Sequence, residues 1–223
     1  ASDQMDVVMV VAHKGTIGKY ITMLKELKLV PSKIDITPFA FINAFLKTNT
    51  IEHEKMVALI DIGSRRSTLA VVKGRTLLFL RVIETAGHSF TEAIKNGLKL
   101  GWDEAEALKK GQSVTVSGKG SKVGELNIFE HIEPSLMQLV GEINRSFAYC
   151  EAEILVDRIE RAFIFGGGGL FQGLDEFLAA KLGIPVEVGN FCNNVMVKTK
   201  KRDKAPMTDI APCLASAFGA ALL

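Results

Sequence analysis

Four consecutive glycines, at positions 166–169, restrict the possible fold of this 223-residue sequence more than any other feature. They come directly after an apolar run at residues 161–165, and a helical pattern follows at residues 174–182. Glycine loses more backbone entropy on folding than any other residue, so a run of four indicates a tight turn or a close approach to the backbone. A turn that needs positive φ angles accounts for the run by itself. A strand–glycine–helix unit that brings unpaired amides to a phosphate group also accounts for it.

The overall composition is that of a globular protein with a sizeable core, since 48% of the residues are hydrophobic and 23% are charged. The formal net charge of +2 is too small to favour nucleic-acid binding. No apolar run approaches the roughly 18 residues of a membrane-spanning helix. The three cysteines, Cys150, Cys192 and Cys213, form no C-x-x-C pair. We therefore expect reduced thiols in a cytosolic protein, without a disulfide framework or a zinc site.

Strand-like and helical patterns alternate along the chain, which predicts an α/β fold. The predicted strands are residues 5–12, 34–36, 55–62, 67–72, 76–83, 162–165 and 195–202. The predicted helices are residues 13–29, 39–46, 91–100, 102–110, 134–151, 174–182 and 211–222. The three strands between residues 55 and 83 have tight connections, so we expect an antiparallel meander. A solvated loop at residues 117–122 is the expected inner boundary.

The second motif is Asp61-Ile62-Gly63-Ser64, at the end of a predicted buried strand. An aspartate in this position directs a carboxylate to the sheet edge, where it can hold water molecules of a hydrated Mg²⁺. Gly63 would allow the amides of the following hairpin to reach a phosphate. An ordinary β-turn explains the same residues, because Asp, Gly and Ser are all common in turns.

The third motif is Asn144-Arg145, on the more polar side of the long predicted helix at residues 134–151. These two side chains have the chemistry to stack on a base or to bond to a ribose. A solvated helix face accounts for each of them separately.

Together, in this order and spacing, the three motifs resemble the actin-like ATPase (ribonuclease H-like) fold that is shared by actin, sugar kinases, heat-shock chaperone ATPases and the cell-division protein FtsA. Within that superfamily the sequence is most similar to the type IV pilus assembly family PilM. The stretches that carry this resemblance are residues 36–40, 58–63, 141–146, 166–174, 182–188 and 211–219.

The resemblance implies the second half of the actin-like fold plus part of the small subdomain inserted in FtsA. Residues 1–36 would be the remainder of that inserted subdomain. Residues 37–223 would form the ATPase lobes, with a smaller subdomain at about residues 87–160. We also expect Asp61 and the glycine run to face one cleft from opposite sides.

The resemblance also implies a site for ATP or ADP with Mg²⁺. Asp61 would hold the metal through water. The implied nucleotide-binding residues are Asp61, Gly63, Ser64, Asn144, Arg145, Gly166, Gly167, Gly168 and Gly169.

Three departures from the family pattern bear on catalysis. The first phosphate loop of the family has no counterpart, so we expect a fragment that begins inside the inserted subdomain. Active relatives tend to carry a Gln or Glu where this sequence has Thr37-Pro38-Phe39, and neither Thr37 nor Phe39 is a good base. Cys213 stands where some relatives have an acidic residue. We name no catalytic residue and expect slow hydrolysis at most in an intact protein, and none by this fragment.

By resemblance, the expected function is that of a nucleotide-binding cytoplasmic adaptor of type IV pilus assembly. It would bind the cytoplasmic tail of an inner-membrane partner similar to PilN, at the inner face of the inner membrane, without being inserted in it. It could form a homo-oligomer. The basic stretch at residues 198–204 could contact anionic lipid, although a solvated loop is the simpler explanation. Two alternatives remain, an FtsA-like filament-forming protein and a type II secretion platform domain that needs no nucleotide.

Overall fold

The structure is a computed structural model that describes residues 9–112, 114–115, 122–123, 128–153, 158–191 and 207–222. The chain divides into two units, Ala1–Asp35 and Ile36–Leu223. We retain the prediction that the first unit is part of an inserted subdomain. The predicted strand at 195–202, the basic stretch at 198–204 and Cys192 lie outside the described residues.

The first unit contains one helix, α1, at Lys14–Glu26, as its apolar spacing predicts. The strands predicted at residues 5–12 and 34–36 are wrong where they can be compared, since residues 9–12 and 34–36 have no strand structure. A strand needs a hydrogen-bonded partner, and the described part of this unit offers none. Many apolar side chains of this unit are accordingly exposed, with Met9 82% and Val30 90% accessible, whereas Ile17, Ile21 and Leu24 of α1 are half-buried.

The second unit is built on a five-stranded mixed sheet in the order β3-β2-β1-β6-β7. Strand β2 pairs antiparallel with both β1 and β3, which confirms the predicted meander. Strand β6 pairs parallel with β1 on one side and with β7 on the other. A two-stranded ladder, β4 with β5, flanks the predicted loop at 117–122, of which only Lys122 is described. The strands are β1 Met56–Ile62, β2 Ser67–Lys73, β3 Thr76–Ile83, β4 Val114–Thr115, β5 Lys122–Val123, β6 Arg161–Phe165 and β7 Val186–Val188.

Helices cover both faces of this sheet, and six of them correspond to predicted helices. The helices are α2 Thr37–Thr48, α3 Gly87–Leu98, α4 Trp102–Lys109, α5 Ile128–Glu153, α6 Gly166–Gly169, α7 Leu174–Leu182 and α8 Met207–Ala221. The additional one is α6, which is the glycine run itself. The sequence places each of two prolines in the first turn of a predicted helix. In the structure Pro134 lies inside α5 and Pro212 lies inside α8, so both helices begin earlier than predicted. None of the described helices combines the length and the hydropathy needed to cross a membrane.

Strand β1 separates two hydrophobic clusters. Its side chains alternate, so that Ala58, Ile60 and Ile62 pack into the cluster with α3, α4, α5 and α7, whereas Val57 and Leu59 pack into the cluster with α2 and α8. Burial on both faces explains why this strand reads as a continuous apolar run. The run ends in Asp61, which is therefore fixed at one end of a rigid, buried strand.

Gly219 sets the approach of α8 to α2. A Cβ added there would overlap the backbone carbonyl of Ala40 on α2. We expect Gly219→Ala to lower the free energy of unfolding by about 2–3 kcal/mol or more, because overpacking against backbone forces the two helices apart. Gly141→Ala on α5 is the matched control, since nothing lies within 4 Å of its added Cβ. Urea denaturation should show Gly141→Ala equal to or more stable than the parent by up to about 1 kcal/mol. A Gly219→Ala variant as stable as Gly141→Ala would contradict this packing.

Candidate functional site

The Asp61 motif and the glycine run meet at one edge of the sheet. In the parallel pair of β1 and β6, Asp61 lies opposite Phe165, so the two strands end side by side. A Cβ added at Gly166 would lie 2.5 Å from the Asp61 Oδ1 atom. The two motifs are therefore neighbours, and the expectation that they face each other from opposite sides is wrong. Parallel neighbouring strands bring their carboxyl ends to the same edge, which is where ligands bind in open α/β sheets.

Two of the four glycines are required by packing within the protein. Gly166 has φ +79°, and a Cβ there would overlap the carbonyl oxygen of Ile62. A Cβ at Gly168 would lie 2.5 Å from the Cγ2 atom of Ile62 and 2.9 Å from its carbonyl oxygen. These glycines let the run pack against the end of β1. Part of the glycine requirement is thus structural and independent of any ligand.

Gly167 differs from both of its neighbours. It is exposed, its φ is not positive, and the nearest atom to an added Cβ is the Cys213 sulfur of α8, at 3.9 Å. The fold itself has no steric need for glycine at this position. Its missing side chain opens space toward the cleft.

The hairpin between β1 and β2 forms the second loop of the site. The amide of Gly63 donates to the carbonyl of Arg66 at 3.1 Å, which closes a tight turn. The carbonyls of Gly63 and Ser64 accept from the amides of Gly87 and His88, at 3.0 and 2.6 Å. These bonds fix the loop to the first turn of α3. They also explain why α3 begins at Gly87, four residues before the predicted start.

A cleft of about 800 Å³ lies between these two loops and the helices α3, α4 and α8. The hairpin and the glycine run form one side, and α4 supplies the polar side chains on the other. The lining residues are Gly63, Ser64, Arg65, Gly87, His88, Trp102, Glu106, Lys109, Lys110, Gly167, Gly168, Leu170, Phe171 and Cys213. Four of the predicted site residues, Gly63, Ser64, Gly167 and Gly168, thus share one cavity.

The polar side chains of α4 form a connected network. The Lys109 ammonium donates to the Gly87 carbonyl at 3.1 Å, to the Thr91 hydroxyl at 2.7 Å and to the Glu106 carboxylate at 2.7 Å. The Thr91 hydroxyl also donates to Glu106, at 2.6 Å. Burial alone would raise the pKa of Glu106, but the hydrogen bonds from Lys109 and Thr91 outweigh it and lower this pKa from 4.5 to about 2. Glu106 is therefore charged at neutral pH.

Asp61 has the opposite electrostatic environment. Burial raises its pKa from 3.8 to about 6, and no positive group among the described residues offsets the lost hydration. Burial also raises the pKa of the Cys213 thiol, and the nearby Asp61 charge adds to that increase. A cation bound beside Asp61 would supply the missing compensation.

The donor set around Asp61 fits a hydrated magnesium ion that also contacts phosphate. Within the described ranges, no group of three His, Cys, Asp or Glu side chains is placed to hold a metal ion. Mg²⁺ needs fewer protein ligands than that, since it keeps several waters and takes one or two carboxylates plus phosphate oxygens. Asp61 is the carboxylate at the glycine loops, so a metal here depends on a phosphate-bearing ligand.

Asn144 and Arg145 do not line this cleft. Both are exposed on α5. Arg145 pairs with Glu142, whose second carboxylate oxygen accepts from Arg81 of β3 at 2.6 Å. The Arg145–Glu142 pair thus lies beside the edge strand β3, and the base or ribose contact expected of Asn144 and Arg145 stays a prediction. An amphipathic pattern marks the polar side of a helix, but it does not show which neighbour that side meets.

The α3–α4 side of the cleft is absent from the sequence-based prediction. Trp102 packs on His88 with ring centroids 4.3 Å apart, and both line the cleft. Trp102, Glu106 and Lys109 lie one turn apart along α4, which places them on one face. That spacing was visible in the sequence, but an ordinary solvated helix has the same pattern.

Glu106→Gln is expected to lower the free energy of unfolding by about 1–3 kcal/mol near neutral pH, since hydrogen bonds to a charged group contribute that much. The folded-state pKa of about 2 lies below the ordinary value of 4.5. The carboxylate therefore stabilises the fold fully above about pH 4.5 and loses this effect as the pH falls toward 2. Urea denaturation between pH 2.5 and 7 should show the two proteins converging in acid. A difference that does not change with pH would contradict this account of the network.

A sequence model of the family described as "Type IV pilus assembly protein PilM" matches residues 1–223. Among solved structures, the chain is similar to one in the "PilM-PilN type IV pilus biogenesis complex", with TM-score 0.77 and 28% identity over 92% of this chain and 56% of that chain. It also matches an MreB of Spiroplasma citri bound to AMPPNP, with TM-score 0.62 and 15% identity over 95% of this chain and 64% of that chain. The latter identity supports the actin-like fold alone.

Among curated proteins, the cell division protein FtsA of Streptococcus pneumoniae is 24% identical over 165 residues, which are 69% of this chain and 36% of FtsA. The chain thus spans about a third to two thirds of the length of the relatives that it matches. These similarities confirm the actin-like ATPase fold that the motifs predict. The match over all 223 residues also decides the family, and we conclude that the chain belongs to the type IV pilus assembly protein PilM family.

Proposed function

We propose that this chain binds ATP or ADP with Mg²⁺ in the cleft between its two loops, and acts as a cytoplasmic adaptor of type IV pilus assembly. One observation carries the nucleotide part of the proposal. Two loops that lie about 100 residues apart in the sequence, at residues 63–65 and 167–168, line one cavity of about 800 Å³, and the half-buried Asp61 carboxylate lies against Gly166 at the start of the second loop. That volume is in the range of small-molecule and cofactor sites.

The polyphosphate would lie at the loop end of the cleft. The amides of Ser64 and Arg65 have no protein acceptor among the described residues, so they are available to phosphate oxygens. Gly167 leaves space for close approach. When bound, Mg²⁺ neutralises phosphate charge, and Asp61 would hold its water molecules. The raised pKa of Asp61 fits a carboxylate that is completed by a cation.

The base and sugar would extend along α4 toward Leu170 and Phe171. A second cavity of about 490 Å³ adjoins the first and shares these two residues with it, along with Lys109 and Lys110. Phe129 lines this second cavity and packs against Phe171, with ring centroids 5.0 Å apart. An apolar, aromatic end beside a polar end suits the two halves of a nucleotide.

We propose binding with slow turnover at most. Thr37 and Phe39 in the first turn of α2 offer no general base for an attacking water. The nucleotide state would then act as a signal that changes the shape of the cleft. In MreB of Spiroplasma citri the same fold holds AMPPNP in one structure and ADP in another, which supports a nucleotide site here.

The proposed partner is the cytoplasmic tail of an inner-membrane protein similar to PilN. Family membership supports this proposal, as does the similarity to a chain of the PilM-PilN complex. The protein would then work at the inner face of the inner membrane as a peripheral component. We retain the FtsA-like filament former as the alternative, because the FtsA match covers 69% of the chain.

Isothermal titration calorimetry with Mg·ATP and Mg·ADP tests the nucleotide proposal on this chain. We expect saturable binding with a stoichiometry near one, and adenosine alone should bind much more weakly. A synthetic peptide of the PilN-like tail tests the partner proposal in the same instrument, with a scrambled peptide as control. Absence of nucleotide binding would refute the cleft proposal. Sedimentation of the protein that depends on both ATP and protein concentration would favour the FtsA-like alternative.

A further inference from the structure

Arg65 lies in the hairpin turn between β1 and β2. It lines the cleft, and its side chain is exposed. Among the side-chain hydrogen bonds and ion pairs of the described residues, those of this hairpin's arginines join Arg66 to Glu84, and none involves Arg65. A free guanidinium at the edge of a ligand cleft is the group best suited to bidentate contact with a phosphate.

The other cations near Arg65 are already engaged. Lys109 uses its three protons on Gly87, Thr91 and Glu106. Lys110 pairs with Glu106 at 3.2 Å. The neighbouring Arg66 does not line the cleft, and it pairs with Glu84 at 3.3 Å. Among the described residues that line the cleft, Arg65 is therefore the arginine or lysine without a protein partner.

The position of Arg65 also determines which part of a ligand it can reach. The hairpin carbonyls of Gly63 and Ser64 are held by α3, so the backbone of the loop is fixed. Leu170 and Phe171 line the cleft and also the second cavity, where the apolar side chains of Leu108, Ile128 and Phe129 join them. A nucleotide with its base there directs its outermost phosphate toward the hairpin.

We propose that Arg65 distinguishes a nucleoside triphosphate from a diphosphate, and so gives the cleft a higher affinity for the triphosphate. This inference rests on the proposed nucleotide function of the same site. Arg65 contacts the terminal phosphate, whereas the loop amides and the glycine run contact the phosphates nearer the sugar. Loss of the guanidinium removes the preference and leaves diphosphate binding intact.

Calorimetric titration of Mg·ATP and Mg·ADP against Arg65→Ala, Arg65→Gln and the parent tests this inference. Both variants are expected to lose at least about 10-fold in ATP affinity and less than about 3-fold in ADP affinity, since a charge-assisted hydrogen bond contributes that much. Arg66→Ala is the matched control and should change neither affinity by more than about 3-fold. The quenching of Trp102, the single tryptophan of the sequence, gives an independent readout.

The outcomes separate this inference from the function on which it rests. If the parent binds no nucleotide, the proposed function fails and the inference fails with it. If the parent binds both nucleotides and the Arg65 variants weaken them equally, or weaken neither, the inference is wrong and the proposed function stands. An equal loss of ATP affinity in Arg66→Ala would show a general charge effect and would also overturn the inference. Arg65→Gln keeps the exposed side chain long, so a fold defect in Arg65→Ala alone does not prevent the test.

Discussion

Gly167→Val is expected to abolish nucleotide binding while the protein stays folded. The added side chain would enter the cleft, where the nearest protein atom to its Cβ is the Cys213 sulfur at 3.9 Å. The backbone angle at Gly167 is not positive, so a branched side chain adds no left-handed strain. We expect ATP affinity to fall at least about 100-fold, or about 2.7 kcal/mol. The thermal midpoint should change by less than about 4 °C.

Gly166→Ala is the contrasting variant, and its expected effect is on the fold. Gly166 has φ +79°, and its Cβ would overlap the Ile62 carbonyl oxygen. We expect a loss of about 2–5 kcal/mol of unfolding free energy from strain and overpacking together. Binding and stability are measured on both variants, by titration and by urea denaturation. If Gly167→Val melts like the parent and still binds ATP, the glycine run is only a turn.

Asp61→Asn is expected to stabilise the protein and to weaken its metal-dependent binding. In the folded state the pKa of Asp61 is raised by burial from 3.8 to about 6. The folded state therefore binds the proton more tightly than the unfolded state. As the pH rises above 3.8, ionisation of Asp61 lowers the free energy of unfolding. The total decrease is about 2–3 kcal/mol above pH 7. The amide that replaces the carboxylate does not ionise, so the variant should be more stable by that amount at pH 7.5 and equal to the parent below about pH 3, where the carboxyl is protonated in the unfolded state as well.

The same substitution should change nucleotide binding in opposite directions with and without metal. We expect Mg·ATP affinity to fall at least about 10-fold, because the carboxylate that holds the metal's water is lost. ATP in EDTA should bind equally or better, since a negative charge beside the phosphates is removed. Cys213 faces Asp61 with a pKa raised by burial, so it stays a neutral thiol over this pH range. An Asp61→Asn variant that is less stable at pH 7.5, or that binds Mg·ATP like the parent, would contradict the assigned role.

The sheet and its loops could be predicted from sequence because the strands carry strong local signals. Residues 56–62 form a continuous apolar run, and the alternation into two core clusters follows from strand geometry. The strand at residues 5–12 has an equally apolar pattern, yet residues 9–12 are not a strand. An apolar run shows a preference for burial, but it does not supply the partner that a strand requires.

The sequence predicts the cleft positions that depend on strand ends and turns. It does not predict the cleft residues that depend on how two helices pack together. Asp61 and the glycines stand at strand ends, so their meeting follows from topology. Glu106 and Lys109 become site residues only because α4 packs beside α3 at the hairpin. Asn144 has the same solvated-helix pattern, but it is exposed on α5 and does not line the cleft. The different roles of the glycines are also not visible in the sequence. Only the packing against Ile62 shows that Gly166 and Gly168 are needed by the fold and that Gly167 is not.

Hydrogen–deuterium exchange with and without Mg·ATP tests most directly whether the two loops bind one nucleotide. The structure predicts that residues 63–66 and residues 166–171 gain protection together, with the same dependence on ATP concentration. Residues 144–149 of α5, which do not line the cleft, should exchange at an unchanged rate. Protection of only one loop, or of neither loop at an ATP concentration that saturates the calorimetric titration, would contradict a nucleotide held between them.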